Sequence, residues 1–292
     1  MEECLKTSLG YTNVKRSGKK GGGCISQGEM YHTDQGQIFV KENCKEGAEK
    51  MFKGETASLE AIHKTRTIKV PRPIKVLDRP DGPGSILVME YVDMRRCSNQ
   101  ARLGQQLAQL YLHNSQQTEE NRVTRFGFDV ETCCGFLPQS NTWHSDWVSF
   151  YTDKLGEQIA RQPNDSELQQ LWCSLKGRIG NLFEGVEVFP SLLHGDLWSG
   201  NIAQSGEDPV IFDPASFYGH HEYDLAIGKM FGGFAAEFAN SYHSQIPKQP
   251  GFEERSQLYQ LFHYLNHWNH FGEGYRSQSI SIIKRFVKET SR

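Results

Sequence analysis

The sequence predicts an α+β molecule in two lobes, a small β-rich N-lobe over residues 1–92 and a larger α-helical C-lobe over 93–292. Before residue 92, apolar and polar side chains alternate with period two in several short runs, as half-buried strands do. Beyond Asp93 the apolar spacing changes to three and four residues, as in helices that bury one face. Between the helical segments one stretch, Leu193 to Ala215, spaces its polar residues for chemistry as well as folding.

Taken in order, Gly18 to Asn43 reads as a hairpin, with strands Cys24–His32 and Gln37–Lys41 joined through Asp34, Gln35 and Gly36. Ala48 to His63 is helical, with Phe52, Leu59 and Ile62 on one stripe. Ile74–Leu77 and Ser85–Val92 are strands flanking a turn rich in Asp, Gly and Pro. Ser98 is placed to cap a helix whose Leu103, Leu107, Leu110 and Tyr111 face inward. Asn114 to Arg125 is polar and reads as a loop. Further helices are predicted over Trp143–Ile159, Ser166–Phe183 (interrupted by Gly177 and Gly180), Glu222–Tyr242, Phe252–Phe271 and Ser279–Thr290.

A net charge of -3 with mixed signs offers no basic stripe, so neither nucleic acid nor an anionic membrane is an expected partner. There is no leader and no run of about 18 apolar residues, which predicts a soluble, cytoplasmic protein. The seven cysteines form no CxxC pair and no even framework, consistent with reduced thiols.

In the stretch LHGDLWSGNIAQSGEDPVIFDPA, Asp196 is followed five residues later by Asn201, then by Asp213 after a strand-like run. Protein kinases space a proton-accepting aspartate, a metal-binding asparagine and a second metal aspartate in this way. Magnesium ions bridging phosphates need hard oxygen ligands, here Asn201 and Asp213, while Asp196 stays free to orient the nucleophile. Each half alone would also fit an ordinary turn. Together, with apolar strands on both sides, they predict a protein-kinase-like phosphotransferase using ATP and Mg²⁺.

Upstream signals agree. Gly21, Gly22, Gly23, Cys24, Ile25 and Ser26 form a glycine-rich strand entry that could approach ATP phosphates, although serine replaces the third glycine of GxGxxG and a flexible hairpin entry would look the same. Glu55 lies on the apolar stripe of its helix, where a carboxylate needs a cation, and Lys41 at a strand end is the candidate. A solvated edge position for Glu55 is the alternative. Glu90 and Val92 stand at the expected hinge, where backbone groups would meet adenine. Asp213 and Asp224 are too close in sequence to enclose a protein-docking segment, which predicts a small acceptor and gives Asp224 a structural role under the catalytic loop.

Through GGGCISQG, FDVETCCGFLPQ, LLHGDLWSGN, VIFDPASFYGH and LFHYLNHWNHFG the chain resembles the fructosamine-3-kinase family, and GGGCISQG with Asp34-Gln35-Gly36 leans toward its ketosamine-3-kinase branch. The likeness implies an aminoglycoside-phosphotransferase-like fold and transfer of the ATP γ-phosphate to O3 of a ketosamine on a protein or small amine, leading to deglycation. It further implies Asp196 as base, Asn201 and Asp213 on Mg²⁺, and Lys41 paired with Glu55. The chain departs from the family between Asn114 and Arg125, where it is shorter.

For the acceptor, Trp198 lies two residues past the base and could stack on a sugar, while His267 and Trp268 would line the pocket. A purely structural aromatic helix explains the latter two equally well. His263, His267 and His270 have a spacing that metals can use, yet no fourth ligand suggests itself and zinc is not expected there. Cys24 is either a small buried residue or a redox contact that links two copies through a disulfide. Competing functions are a kinase for an aminoglycoside or amino alcohol, which would need more acidic residues around the acceptor, and a nucleotide-binding pseudokinase scaffold.

Overall fold

The computed structural model describes residues 1–22 and 26–289. Its first part is a helix, α1 (Glu2–Leu9), and a five-stranded antiparallel sheet built from β1 (Val14–Gly22), β2 (Gln27–Thr33), β3 (Gly36–Asn43), β4 (Pro73–Asp78) and β5 (Ser85–Glu90) in the order β1-β2-β3-β5-β4. The β2–β3 hairpin closes at Thr33 and Gly36, and the carboxylate of Asp34 in its turn accepts from Thr12 and Asn13 N–H at 3.0 and 3.1 Å. The turn residues therefore also fix the entry to β1.

Period-two alternation gives the sheet two apolar faces. Ile38, Val40, Ile86 and Val88 face outward to Leu5 of α1, in a small core of their own. Leu87 and Met89 face the other way, onto Met51, Phe52, Leu59 and Ile62 of α2 (Ala48–Thr65). Lys41, one residue beyond Val40, shares this inner face. The inner core continues without a break into the helical part as far as Ile283 and Phe286.

The helical part contains β6 (Arg95–Arg96), α3 (Gln100–His113), the hairpin β7 (Thr132–Cys134) and β8 (Leu137–Gln139), α4 (Trp147–Ala160), α5 (Ser166–Leu175), β9 (Ser191–Leu192), β10 (Ile202–Ser205), β11 (Asp208–Ile211), β12 (Tyr218–Gly219), α6 (Glu222–Phe231), α7 (Ala236–His243), α8 (Phe252–Phe271) and α9 (Arg276–Glu289). Strands β6, β10 and β11 form a small antiparallel sheet, and β9 pairs with β12. The buried Arg255 of α8 grips Glu222 of α6 through two hydrogen bonds of 2.8 and 2.7 Å. That clamp seats the start of α6, which carries Asp224.

Several boundaries differ from the sequence expectation for identifiable reasons. Asn99, not Ser98, caps α3, because both the N–H and the hydroxyl of Ser98 are taken by Gln204 of β10. α4 starts at Trp147 because the Asp146 carboxylate caps it through Ser149 N–H. After Leu175 the chain tightens to a 3₁₀ stretch over Lys176–Phe183, where the two glycines lie. The expected single helix over 222–242 is two, α6 and α7. Gly232 and Gly233 break it at φ 74° and 139°, and Ser199 binds the freed carbonyls of Phe231 and Gly232.

Cys24, with Gly23 and Ile25, lies outside the described residues. Cys4, Cys44, Cys97, Cys133, Cys134 and Cys173 are free thiols. Among the described residues no helix is long and apolar enough to cross a membrane.

Candidate active site

The loop that follows β9 and carries Asp196 is held from beneath. Asp224 accepts from His194 N–H at 2.6 Å, Gly195 N–H at 2.8 Å and the Tyr111 hydroxyl at 3.0 Å, as expected for a structural carboxylate. Gly195 has φ 86°, and a Cβ there would collide with the Ala215 carbonyl, so only glycine lets the two loops lie this close. His194 is fully buried. Its Nδ1 accepts from Asp196 N–H at 3.2 Å, so the proton is on Nε2, which donates to the Phe212 carbonyl at 2.9 Å. Burial pulls its pKa down to about 4, and this neutral ring ties the loop of Asp196 to that of Asp213.

Asn201 donates from its side-chain nitrogen to the Asp196 carbonyl and carboxylate at 2.8 and 3.3 Å, which leaves its oxygen as the atom for a cation. Asp213 adopts a left-handed φ of 58°, a conformation costly to most side chains and tolerated by Asp. Its carboxylate meets Lys41 Nζ at 3.0 Å. Lys41 also reaches both oxygens of Glu55 at 2.7 and 2.8 Å, so the structure joins the expected strand and helix pair and adds Asp213 to it. Burial alone would lower the Lys41 pKa, but Asp213 and Glu55 outweigh it and the ammonium is held charged. Burial and Asp213 push Glu55 upward against the pull of Lys41. Asp196 is raised to about 7 by burial and by the charges of Asp213 and Asp224, with Asn201 opposing.

These groups open onto a cavity of about 400 Å³. Ser26, Lys41, Glu55, Asp196, Asn201 and Asp213 form its polar side. Trp198, Phe231, His267, Phe271 and Tyr275 give the same cavity an aromatic wall. His267 is central to that wall, with ring centroids 4.8 Å from Phe231, 5.6 Å from Phe271 and 5.2 Å from Tyr275. Trp268 does not take part. Successive helix residues diverge by 100°, which buries its ring beneath the Arg276 guanidinium with its N–H on Glu273. Phe231, Phe271, Tyr275 and the Cys133–Gly135 segment were not predicted as lining residues. Cys133, Cys134 and Phe271 did lie in the family-like runs, which was the available signal.

The expected nucleotide contacts are only partly assembled. Gly21 and Gly22 end β1, and Gly21 pairs with Gly28. Gly28 is needed where it stands because any Cβ would strike the Phe39 ring. Glu90 and Val92 are not among the residues lining the cavity, and the Glu90 N–H is already donated to the Arg72 carbonyl at 2.9 Å. The three histidines of α8 do not share a site. His267 and His270 each give Nδ1–H to the carbonyl four residues back, and His270 Nε2 accepts from Phe136 and Leu137 N–H, whereas His263 turns into the interior.

Residues 1–289 match the model of a family described as fructosamine kinase. The chain is 53% identical to a ketosamine-3-kinase of Mus musculus, covering 99% of this chain and 100% of that protein. It is 45% identical to a chloroplastic protein-ribulosamine 3-kinase of Arabidopsis thaliana, over 99% and 87% of the two chains. In three dimensions it resembles a candidate fructosamine-3-kinase of Haemophilus somnus 129PT (TM-score 0.79, 22% identity, 98% and 96% covered). It also resembles the ADP-bound aminoglycoside phosphotransferase APH(2'')-Ib (TM-score 0.59, 13% identity, 98% and 95% covered), a likeness of fold alone.

Proposed function

The chain belongs to the fructosamine kinase family, and from that membership we propose that it transfers the γ-phosphate of ATP to O3 of ketosamines carried by proteins or small amines. The supporting observation is the convergence of Lys41, Glu55 and Asp213 on one side of the cavity that Asp196 also faces. In this reading Asp196 accepts the proton of the O3 hydroxyl as that oxygen attacks phosphorus. Lys41, kept in place by Glu55, steadies the phosphates. Asn201 Oδ1 and the Asp213 carboxylate are hard oxygen donors that fit Mg²⁺, which when bound would neutralise the phosphate charge. Trp198 and His267 would hold the sugar against the aromatic wall. Gly21 to Ser26 would cover the phosphates, and Glu90 and Val92 would meet the adenine.

Phosphate at C3 sits on the carbon next to the C2 carbonyl of the product; once a C1 proton is lost the 1,2-enaminol expels that allylic phosphate, and water cleaves the resulting imine, so the adduct falls apart without a second enzyme. The aromatic wall favours such a sugar over a polycationic aminoglycoside. Among the described lining residues the only carboxylates are Glu55, Asp196 and Asp213. The two lobes divide near residue 92, and the place of action is the cytoplasm. A disulfide through Cys24 would join two copies under oxidation. Non-reducing gels of wild type and Cys24→Ala test that part, and a peroxide-induced dimer in the alanine variant removes it. ATP consumption over ribulosamine, psicosamine and fructosamine derivatives tests the whole. The branch likeness predicts the first two as preferred, and no turnover of any of the three would overturn the proposal.

A further inference from the structure

His263 is fully buried, yet neither ring nitrogen has a hydrogen-bond partner. Folded cores rarely leave an imidazole in that condition. The rings of Tyr223 and Phe262 pack against it, and beside them stand metal-ligating atoms: one His263 ring nitrogen, the Cys134 sulfur and an Asp196 carboxylate oxygen all lie within 4.8 Å of one another. They come from three separate segments, α8, β7 and the catalytic loop, and Cys134 and Asp196 also line the cavity. Asn266, one turn beyond His263 on α8, directs its side-chain N–H at the Cys134 sulfur at 3.4 Å. A donor placed so stabilises a thiolate and is the outer partner that metal-bound sulfur commonly carries.

We propose that Cys134, His263 and Asp196 form a site for a borderline-soft divalent cation of the zinc type, with its fourth position open to the cavity. A thiolate and an imidazole in the donor set select against Mg²⁺, whose oxygen ligands stand apart at Asn201 and Asp213. Tetrahedral zinc would hold these three ligand atoms about 3.5 Å apart, so they must draw in by roughly an ångström, a side-chain adjustment. On binding, the cation forms a bond to sulfur and releases the thiol proton through the cavity to solvent. His263 enters neutral, through the lone pair of one nitrogen. The cation also occupies the Asp196 carboxylate, so on the reading of Asp196 as the base the enzyme is reversibly inhibited. Only that last consequence rests on the proposed function.

Cobalt(II), a coloured stand-in for zinc, tests the site on the full-length chain with excess Mg²⁺ present to occupy the hard-oxygen ligands. The expected result is one bound equivalent with a sulfur-to-metal charge-transfer band, displaced by Zn²⁺ and absent in Cys134→Ser. His263→Gln should weaken binding roughly 10- to 100-fold or more. Wild type without the charge-transfer band overturns the site whatever the variants do, and so does persistence of the band in Cys134→Ser. In the kinase assay Zn²⁺ should inhibit wild type, a zinc-selective chelator should restore it, and Cys134→Ser should retain a larger fraction of its own metal-free rate. A charge-transfer band together with undiminished phosphoryl transfer would uphold the metal site and remove Asp196 as base.

Discussion

In its proposed role Asp196 is subject to opposing demands, because a general base must be ionised while burial and two neighbouring carboxylates favour its protonated form, raising its pKa to about 7. With the folded pKa raised, the proton-bound fraction grows as pH falls through that value. The expected kcat/KM is flat above pH ~7.5 and falls about tenfold per unit below ~6.5; a rate independent of pH between 5.5 and 8 would refute the assignment. Replacing the group is the complementary test. Asp196→Asn keeps shape and should lower kcat roughly 10²- to 10⁴-fold with ATP affinity within about twofold, measured by nucleotide titration. The polar residues of this site were legible in the sequence because Asp196, Asn201, Asp213 and Asp224 fall within one short stretch whose spacing reflects their chemistry. Phe231, Tyr275 and Cys134 were not legible as site residues, since nothing in their spacing sets them apart before the chain is folded, while His263 was singled out only together with His267 and His270, which the fold does not bring to one site.

Among the elements, α2 does more than carry Glu55. Its Ser58 hydroxyl donates to the Gly54 carbonyl at 2.8 Å and accepts the Ser216 N–H at 3.1 Å, joining the helix to the loop that bears Asp213. Ser58→Ala leaves a buried N–H without a partner. The expected cost is about 1–3 kcal/mol, read as a lower denaturant midpoint with unchanged m-value. No loss of stability would mean that the loop finds another acceptor. The extent of α8, Phe252–Phe271, matches the sequence expectation because Gly251 and Gly272 bound a run that contains neither Gly nor Pro. The split of α6 from α7 does carry a signal, Gly232-Gly233, which the expectation of one helix passed over; how the break is held is not visible in the sequence. It depends on Ser199, far off in sequence, binding the carbonyls that the break exposes.

Across the whole molecule the fold class was legible from strand and helix periods, while the continuity of its core was not, because period-two alternation does not say which face α2 covers. A lysine with no carboxylate partner among the described residues is sealed inside that core. Lys154 of α4 is buried, with Nζ 2.8 Å from Gln139 Oε1 and 4.2 Å from the centre of the Phe217 ring. Burial lowers its pKa from 10.5 to about 7, and the aromatic face works in the other direction. A base whose folded pKa lies below its unfolded one binds its proton more tightly when unfolded. Stability should therefore climb as pH rises from about 7 toward 10.5, by up to ~1.4 kcal/mol per unit. Lys154→Met should abolish that increment relative to wild type in urea titrations at pH 7.5 and 9.5, and equal slopes in the two proteins would count against a depressed pKa.

The contact of Lys41 with Asp213 joins the sheet to the helical part across 172 residues of chain. A cation that draws the Asp213 carboxylate away leaves one ammonium hydrogen for a phosphate oxygen, so metal and nucleotide each ease the arrival of the other. Thermodynamic reciprocity makes that coupling equal in both directions. The same exchange loosens a direct tie between the sheet and the helical part, so the strength of that tie follows the occupancy of the cavity that Lys41 and Asp213 line.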